Sequence, residues 1–196
     1  MARSPRVLST FVNYNSRDAV AKTMCIQILA RLAGDRNNIF HLVFCVDGYL
    51  DVLVEATTFE DAVCRKYACF AVQNISCNEH CLEVLGSTPK LLENICQCCQ
   101  VFGESREIRV ACMVTLRNLS RRSENVRRMM DTSSCMPMLL SVVRTKELNE
   151  SRPDLIYWAC EVLHVISDMH TEEQRNVTST CAISSLDEDL PSGTSV

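Results

Sequence analysis

Apolar residues recur along this chain in a six-residue phrase that occurs four times. The phrase ends at Ala33, Ser76, Ser120 and Ser167, so its copies lie 43, 44 and 47 positions apart. Within each copy the apolar side chains follow the three- and four-residue spacing of one helix face. A period of roughly 40 to 47 residues with helical patterning inside it predicts a stack of similar helical units.

Three columns of the repeat predict which side chains lie between stacked units. Small residues stand eight positions before each closing residue, and branched apolar residues stand four positions and one position before it. The columns are Cys25, Ala68, Cys112 and Ala159; Leu29, Val72, Leu116 and Leu163; and Leu32, Ile75, Leu119 and Ile166. No single unit can bury such a stripe alone, so we expect adjacent units to stack through it.

The segments between the phrases share an order: a short helix, a turn, a second helix and then the long helix. Asp35, Asp61 and Asn78 stand where helix N-caps are expected, and Gly34 and Gly86 suit helix ends. This order resembles the armadillo repeat family from about residue 5 to residue 168. The resemblance implies an all-α fold, a right-handed α-solenoid of about three complete armadillo-type repeats with a partial repeat at the N-terminus.

The repeat predicts five segments. Residues 1–36 form a partial repeat with the second and third helices, and residues 37–77, 78–122 and 123–169 form three complete repeats. Residues 170–196 are expected to form a partial or fraying helix and a flexible acidic tail rich in Ser and Thr. This segment lacks the apolar density to order itself.

Composition agrees with an all-helical intracellular protein. The chain of 196 residues is 47% apolar and 22% charged, with only 5 Gly and 5 Pro. No apolar run reaches the roughly 18 to 20 residues that cross a bilayer, and the start of the chain lacks the apolar core of a secretory signal. We therefore expect no membrane span and a cytoplasmic location, with the nucleus as an alternative.

The chain contains 13 cysteines, and their placement favours structural roles. Several stand in the long helices, where a free cysteine behaves as a small buried hydrophobe. Two groups, Cys77 with His80 and Cys81, and Cys96–Cys99, lack the two well-spaced pairs of a zinc site. We expect no metal and no cofactor, and a redox-sensitive thiol among Cys96–Cys99 is the open alternative.

Catalytic motifs are missing from the sequence. It has no Gly-rich phosphate loop, no H-E-x-x-H motif, no G-x-S-x-G motif and only four histidines. Its acidic residues are scattered at the helical spacing that is typical of a solvated face. The sequence therefore predicts a binding protein and no enzyme.

The resemblance to armadillo proteins implies where a ligand would bind. In that family the third helices line a concave groove, and a recurring asparagine grips the backbone of an extended peptide. Asn74 and Asn118 match that position, whereas the first and last units have Arg31 and Val165. Importin-alpha relatives carry a tryptophan four residues earlier; the second unit has Phe70 there, which disfavours nuclear import. A helix-end asparagine that bonds its own backbone is the structural alternative.

The charge of one segment indicates what kind of peptide would bind. Between Glu104 and Arg128 seven arginines stand against three glutamates, although the net charge of the chain is −4. Arg117 and Arg121 lie four positions apart, on the same helix side as Asn118. An arginine fork suits carboxylate and phosphate groups, so we expect an acidic or phosphorylated peptide; a solvated face of ion pairs is the alternative. The acidic chain and its few aromatic residues argue against nucleic acid.

The predicted peptide-binding groove thus comprises six residues, and two other binding modes stay open. The groove residues are Arg31, Phe70, Asn74, Arg117, Asn118 and Arg121. Thr194 and Val196 fit the C-terminal motif that PDZ domains capture. The chain also opens in mid-repeat, with Val7, Leu8 and Phe11 on a predicted second helix, and terminal repeats normally need polar caps. Such an apolar N-terminal edge would favour self-association, docking on another domain, or a role as part of a longer armadillo protein.

Overall fold

The computed structural model describes Thr10, Val12 and residues 18–100, 105–144 and 153–187, with side chains in the last range described for residues 154–172 and 175. In these ranges the regular structure is helical throughout, with one 3-10 turn at Glu79–Cys81 and no strand. The fold is therefore all-α, as predicted. The α-helices are α1 (Ala19–Ala33), α2 (Arg36–Cys45), α3 (Tyr49–Ala56), α4 (Ala62–Ser76), α5 (Leu82–Ser87), α6 (Leu91–Gln100), α7 (Arg106–Leu119), α8 (Ser123–Asp131), α9 (Cys135–Arg144) and α10 (Pro153–Asp187).

Helices begin at polar residues whose side chains replace missing backbone hydrogen bonds. Asp35, Asp61 and Asn78 each accept a hydrogen bond from the backbone N–H two residues further along, at 3.0, 3.0 and 3.1 Å. The three predicted N-caps are thereby confirmed. Asp18 caps α1 in the same way, and each such cap stabilises its helix by about 1 kcal/mol.

The two glycines expected at helix ends have different environments. Gly34 directly follows α1, as predicted, and its N–H bonds carbonyl groups of the last turn. Gly86 is buried inside α5, one residue before the end of that helix. A Cβ atom at Gly86 would collide with the carboxamide of Asn125 on α8. Gly86 thus lies at a helix end to within one residue, as predicted, and the close approach of α5 to α8 is a second reason for a glycine there.

The four long helices pack side by side in chain order: α1 on α4, α4 on α7, and α7 on α10. Contacts at both ends show that α4 and α7 run parallel. In their N-terminal halves, Lys66 Nζ lies 3.3 Å from Glu107 Oε1. At their C-terminal ends, Asn118 Nδ2 donates a hydrogen bond to Ser76 Oγ at 3.0 Å. Equivalent turns of these two helices therefore lie beside each other.

The same arrangement holds for the neighbouring pairs of long helices. Thr23 Oγ1, in the second turn of α1, donates to Oδ2 of Asp61, the N-cap of α4, at 2.7 Å. Arg106 Nη2 and Asp154 Oδ2, each near the start of its helix, lie 3.3 Å apart between α7 and α10. The long helices thus form one row of parallel elements.

The shorter helices connect successive units through asparagine side chains, of which Asn94 is half-buried and Asn125 is buried. Asn94 Nδ2 on α6 donates to the carbonyl oxygen of Val54 on α3 at 3.0 Å. Asn125 Nδ2 on α8 donates to the carbonyl oxygen of Leu82 on α5 at 2.8 Å. Because each bond joins elements about 40 residues apart in the chain, these asparagines hold one unit on the next.

The core lies between the rows of helices and contains the predicted columns. Nine of the twelve column residues are buried, and Cys25, Leu32 and Leu163 are half-buried. The three exceptions are on α1 and α10, which in the described ranges pack against a long helix on one side only. The incomplete burial therefore follows from their place at the ends of the row.

The unit boundaries stay a prediction. Those at 36/37, 77/78 and 122/123 lie within about one residue of a helix start or end. The boundary at 169/170 lies inside α10, which continues to Asp187. Residues 154–187 contain no Gly or Pro that would stop the helix. A helix was expected in the first part of residues 170–196, and the flexible tail stays a prediction. Neither α10, with 35 residues, nor any other described helix has an apolar stretch long enough to cross a membrane.

Candidate functional site

The exposed sides of α4, α7 and α10 form a continuous surface, which we call the long-helix face. Side chains reach this face at the three- and four-residue spacing of one helix side. They are Val63, Lys66, Phe70 and Asn74 on α4; Glu107, Val110, Val114 and Arg117 on α7; and Tyr157, Glu161 and His164 on α10. Ion pairs join α4 to α7 and α7 to α10 across this face.

Asn74 and Phe70 lie one turn apart on α4, and both are half-buried. Within the described ranges no group forms a hydrogen bond with the Asn74 carboxamide. The Nζ of Lys66 lies 5.7 Å from the centroid of the Phe70 ring, within the range of a cation–π contact. An open carboxamide offers both donors and an acceptor, so this pair is suited to the backbone and one apolar side chain of an extended peptide.

Asn118 matches Asn74 in the sequence but has a different environment. Its side chain is only 4% exposed. Its Nδ2 donates to Ser76 Oγ at 3.0 Å and approaches Cys77 Sγ at 3.7 Å. The amide therefore links α7 to α4, and the expectation that Asn118 also binds a peptide backbone stays a prediction.

The closing residue of the preceding unit explains why the two asparagines differ. Asn118 reaches Ser76, which closes the phrase before its own. The equivalent neighbour of Asn74 is Ala33, a buried methyl group, followed by Gly34 where the other site has Cys77. Neither Ala33 nor Gly34 has a polar side chain, so the Asn74 carboxamide lacks the partner that Ser76 gives to Asn118.

Arg117 is held in a two-point ion pair with Glu161 on α10. Its Nε lies 2.6 Å from Oε2 and its Nη2 lies 3.5 Å from Oε1 of that carboxylate. Tyr157 Oη donates a further hydrogen bond to Glu161 at 3.2 Å. The two charged side chains are 38% and 32% exposed. A ligand carboxylate would therefore compete with Glu161 for this guanidinium group. The Arg117–Glu161 pair could have been anticipated from sequence, because the two residues lie 44 positions apart, which is one repeat.

Arg31 and Arg121, two of the predicted groove residues, are exposed cations that have no ion-pair partner within the described ranges. Arg31 lies in the last turn of α1, and Arg121 lies two residues beyond α7. Positive charge at a helix C-terminus is favoured by the helix dipole, which gives both arginines a structural reason to be there. Their exposed guanidinium groups are nevertheless available to an acidic ligand.

The positive charge of the arginine-rich segment is smaller than its composition indicates. Among the described residues, at least three of its seven arginines pair with acidic residues from other parts of the chain. The pairs are Arg106 with Asp154, Arg117 with Glu161 and Arg122 with Glu79. A count within a window of sequence cannot include partners that the fold brings from one repeat away.

Three buried thiols come together where α4, α6 and α7 meet. They belong to Cys69, Cys98 and Cys112, and their sulfur atoms all lie within 4.8 Å of one another. Sequence reasoning missed this cluster because it looked for ligands at short spacing. The one available signal was that Cys69 and Cys112 are 43 residues apart, one repeat interval, on long helices that pack together.

Contacts among the three thiols shift their pKa values in opposite directions. Hydrogen bonds from Cys112 and Cys69 lower the pKa of Cys98, and the Arg65 guanidinium adds to this effect. The contacts with Cys69 and Cys98 raise the pKa of Cys112. The close contact of the three sulfur atoms is the main cause of both shifts.

Val20, Met24 and Ile28 form an exposed apolar stripe on α1, with 68%, 59% and 38% of their surfaces accessible. At the position equivalent to Ile28, α7 has Thr115, which is fully buried. Thr115 lies on the same side of α7 as Asn118, whose amide contacts α4. Met24 corresponds to Ala111, which is also buried, whereas Val20 corresponds to Val63 and Glu107, which are exposed. Met24 and Ile28 therefore lie on the side of a long helix that is covered in α7.

Several predictions fall on residues outside the described ranges. These are the apolar N-terminal residues Val7, Leu8 and Phe11, and the PDZ-type residues Thr194 and Val196. The cytoplasmic location likewise stays a prediction.

Comparison with family models and with curated proteins gives no match. Two engineered proteins known from crystal structures have a similar fold. The first has a TM-score of 0.66 at 17% identity, over 83% of this chain and 63% of its own. The second has a TM-score of 0.64 at 17% identity, over 83% and 69%. This chain thus spans less than two thirds of the first, and at such identity the likeness concerns the fold alone.

Proposed function

We propose that this chain is an armadillo-type right-handed α-solenoid that acts as a non-catalytic scaffold for other proteins. The four recurring phrases, the order of short, second and long helices, and the parallel row of long helices support this proposal. In such a stack each unit contacts only its neighbours, and the exposed sides of the long helices present an extended surface.

The ligand in this proposal is an extended peptide that lies along the long-helix face. The observation that carries it is the Asn74 carboxamide, which has no partner within the described ranges and lies beside Phe70. Asn74 would hold the peptide backbone with a donor and an acceptor, and Phe70 would contact an apolar side chain. Asn118 would hold α7 in place rather than bind the peptide.

The acidic or phosphorylated character of the peptide rests on fewer groups than the sequence alone indicates. Arg121 and Arg31 would bind its negative groups, because Arg117 is already paired with Glu161. A phosphate group, with more charge than a carboxylate, is the ligand group better able to draw Arg117 from that pair.

Selection from a random peptide library, followed by affinity measurements on the selected peptide, tests this proposal. We expect Asn74→Ala to weaken peptide binding by about tenfold or more. This is the expected cost of removing one hydrogen bond to the peptide and leaving the peptide group buried without a partner. Asn37→Ala is the matched control, since Asn37 is an exposed asparagine on α2, away from the long-helix face. Equal affinity for the wild type and the Asn74→Ala variant would exclude Asn74 from the site.

A second candidate function is self-association through the apolar stripe of Val20, Met24 and Ile28. Its support is the exposure of Met24 and Ile28, whose equivalents on α7, Ala111 and Thr115, are buried; Val20 extends this apolar surface by one turn. Light scattering coupled to gel filtration should show a dimer that Met24→Glu converts to a monomer. Val63→Glu is the control, because Val63 is also an exposed apolar residue but lies on α4. A monomeric wild type at micromolar concentration would rule out this candidate.

A further inference from the structure

The cysteine cluster between α4, α6 and α7 has the composition of a metal site. Cys69, Cys98 and Cys112 each supply one sulfur atom from a different helix, and no sulfur lies more than 4.8 Å from another. The Sγ atoms of Cys69 and Cys112 are 3.7 Å apart. All three residues are buried, so each side chain is held in place by the packing around it.

The sulfur spacing is close to what a bound ion requires. A Zn–S bond of about 2.3 Å places tetrahedral sulfur ligands about 3.8 Å from one another. The observed spacing needs only small side-chain movements to reach this value. Thiolates select soft ions, Zn²⁺ and Cu⁺ among them, over the harder ions that prefer oxygen.

We propose that Cys69, Cys98 and Cys112 bind one thiol-preferring metal ion, either Zn²⁺ or Cu⁺. The ion supplies the positive charge that three adjacent thiolates need, and the nearby Arg65 offsets part of the remaining negative charge. Cys99, which is buried and contacts Cys112, is the candidate for a fourth sulfur ligand. Bound in this way, the ion joins two consecutive units of the stack and stabilises them only when all three helices are in place.

A route to the cluster exists on one side. A cavity of about 170 Å³ is lined by Thr57, Phe59, Arg65, Gln97 and Cys98, among others. It brings solvent to the Cys98 side of the cluster, and the Cys98 thiol donates a hydrogen bond to the carbonyl oxygen of Thr57 at 3.3 Å. Cys98 is therefore the first of the three ligands that an entering ion meets.

Metal content and thermal unfolding of the full chain under reducing conditions test the proposal. Protein freed of metal with a chelator is titrated separately with Zn²⁺ and with Cu⁺. We expect about one ion of either kind per chain and a higher Tm in its presence. Cys98→Ala should reduce affinity by more than the roughly 10- to 100-fold that loss of an outer-shell group costs. Cys96 is a buried cysteine on the same helix that contacts Cys135 instead, so the Cys96→Ala variant should bind the metal ion as tightly as the wild type.

X-ray absorption of the metal-loaded wild type keeps the test independent of how the variants fold. Three or four sulfur neighbours at about 2.3 Å would support the site. A wild type that binds neither ion would overturn the proposal. So would a bound ion surrounded by nitrogen or oxygen, or equal binding by Cys98→Ala and Cys96→Ala.

Discussion

Two contacts between long helices, α1 with α4 and α4 with α7, are formed by the same recurring phrase. They differ in the environment of the asparagine near the C-terminal end of the second helix. At the second contact, Asn118 is buried and bonded to Ser76. At the first, the equivalent Asn74 is half-buried beside Ala33 and has no bonding partner in the described ranges. The hydroxyl group of Ser76 gives Asn118 a hydrogen-bond partner on the preceding helix, and Asn74 lacks this partner because Ala33 stands at the equivalent position.

The two contacts also differ in what else lies between their helices. The α4–α7 contact contains the thiols of Cys69 and Cys112, whereas the α1–α4 contact is bonded through Thr23 and the N-cap Asp61. A repeat therefore preserves packing geometry while the chemistry at each interface changes. The predictions below separate the shared packing from those local differences.

Removal of a branched side chain from the interior of the row should have the largest effect. Leu116 is fully buried on α7, so Leu116→Ala should lower the free energy of unfolding by about 2–5 kcal/mol. Leu163 is in the same column on α10 but half-buried, and Leu163→Ala should cost less. Urea denaturation measures both. A larger loss at Leu163 would contradict the assignment of α10 to the less covered end of the row.

Replacement of the two asparagines should separate their roles. Asn118→Ala should lower the free energy of unfolding by about 1–2 kcal/mol, because it removes a buried hydrogen bond to Ser76. Asn74→Ala should change it by less than about 0.5 kcal/mol, as is usual for a side chain without partners. Thermal and urea unfolding of the two variants provide the comparison. Equal losses would mean that Asn74 also has a structural bond.

The ion pair between Arg117 and Glu161 should contribute less, and its contribution should depend on salt. A double-mutant cycle with Arg117→Ala and Glu161→Ala should give a coupling of about 0.2–1 kcal/mol, since both side chains are about a third exposed. Raising the ionic strength should weaken it. A coupling that persists unchanged in high salt would indicate that the pair is more buried than the structure shows.

Asp61 should make the α1–α4 contact sensitive to acid, with the smallest effect of the four. The hydrogen bonds from Thr23 and from the Val63 N–H lower the pKa of this carboxylate. Its contribution to stability is therefore present above the unfolded-state pKa of about 3.9 and is lost as pH falls through the lower folded-state value. As pH falls through that range, the free energy of unfolding should decrease less for the Asp61→Asn variant than for the wild type, as urea denaturation at several pH values would show. Asp35→Asn, at an N-cap that bonds only its own helix among the described residues, is the control.

Much of the fold could be predicted from the sequence because the same helical pattern occurs in four copies of the phrase. The column of Leu29, Val72 and Leu116 is a helix stripe in every unit, and these residues are buried. The end of α10 could not be placed in this way, because composition gives no boundary between the predicted partial helix and the acidic tail.

The candidate site was harder to predict, since its chemistry depends on neighbours one repeat away. In the sequence Arg117 has no acidic neighbour that identifies its partner, whereas in the structure it forms an ion pair with Glu161. The three clustered cysteines come from different helices, so no local spacing marks them. A search for partners one repeat away could have indicated the contacts of Asn118 with Ser76, of Arg117 with Glu161 and of Cys69 with Cys112.

Side-chain NMR of a selected peptide complex would test the central claim most directly. The Asn74 and Asn118 side-chain NH₂ signals can be observed together in one labelled sample. Our account predicts that peptide addition shifts the Asn74 signals and leaves those of Asn118 close to their free positions. Shifts at Asn118 without shifts at Asn74 would contradict it.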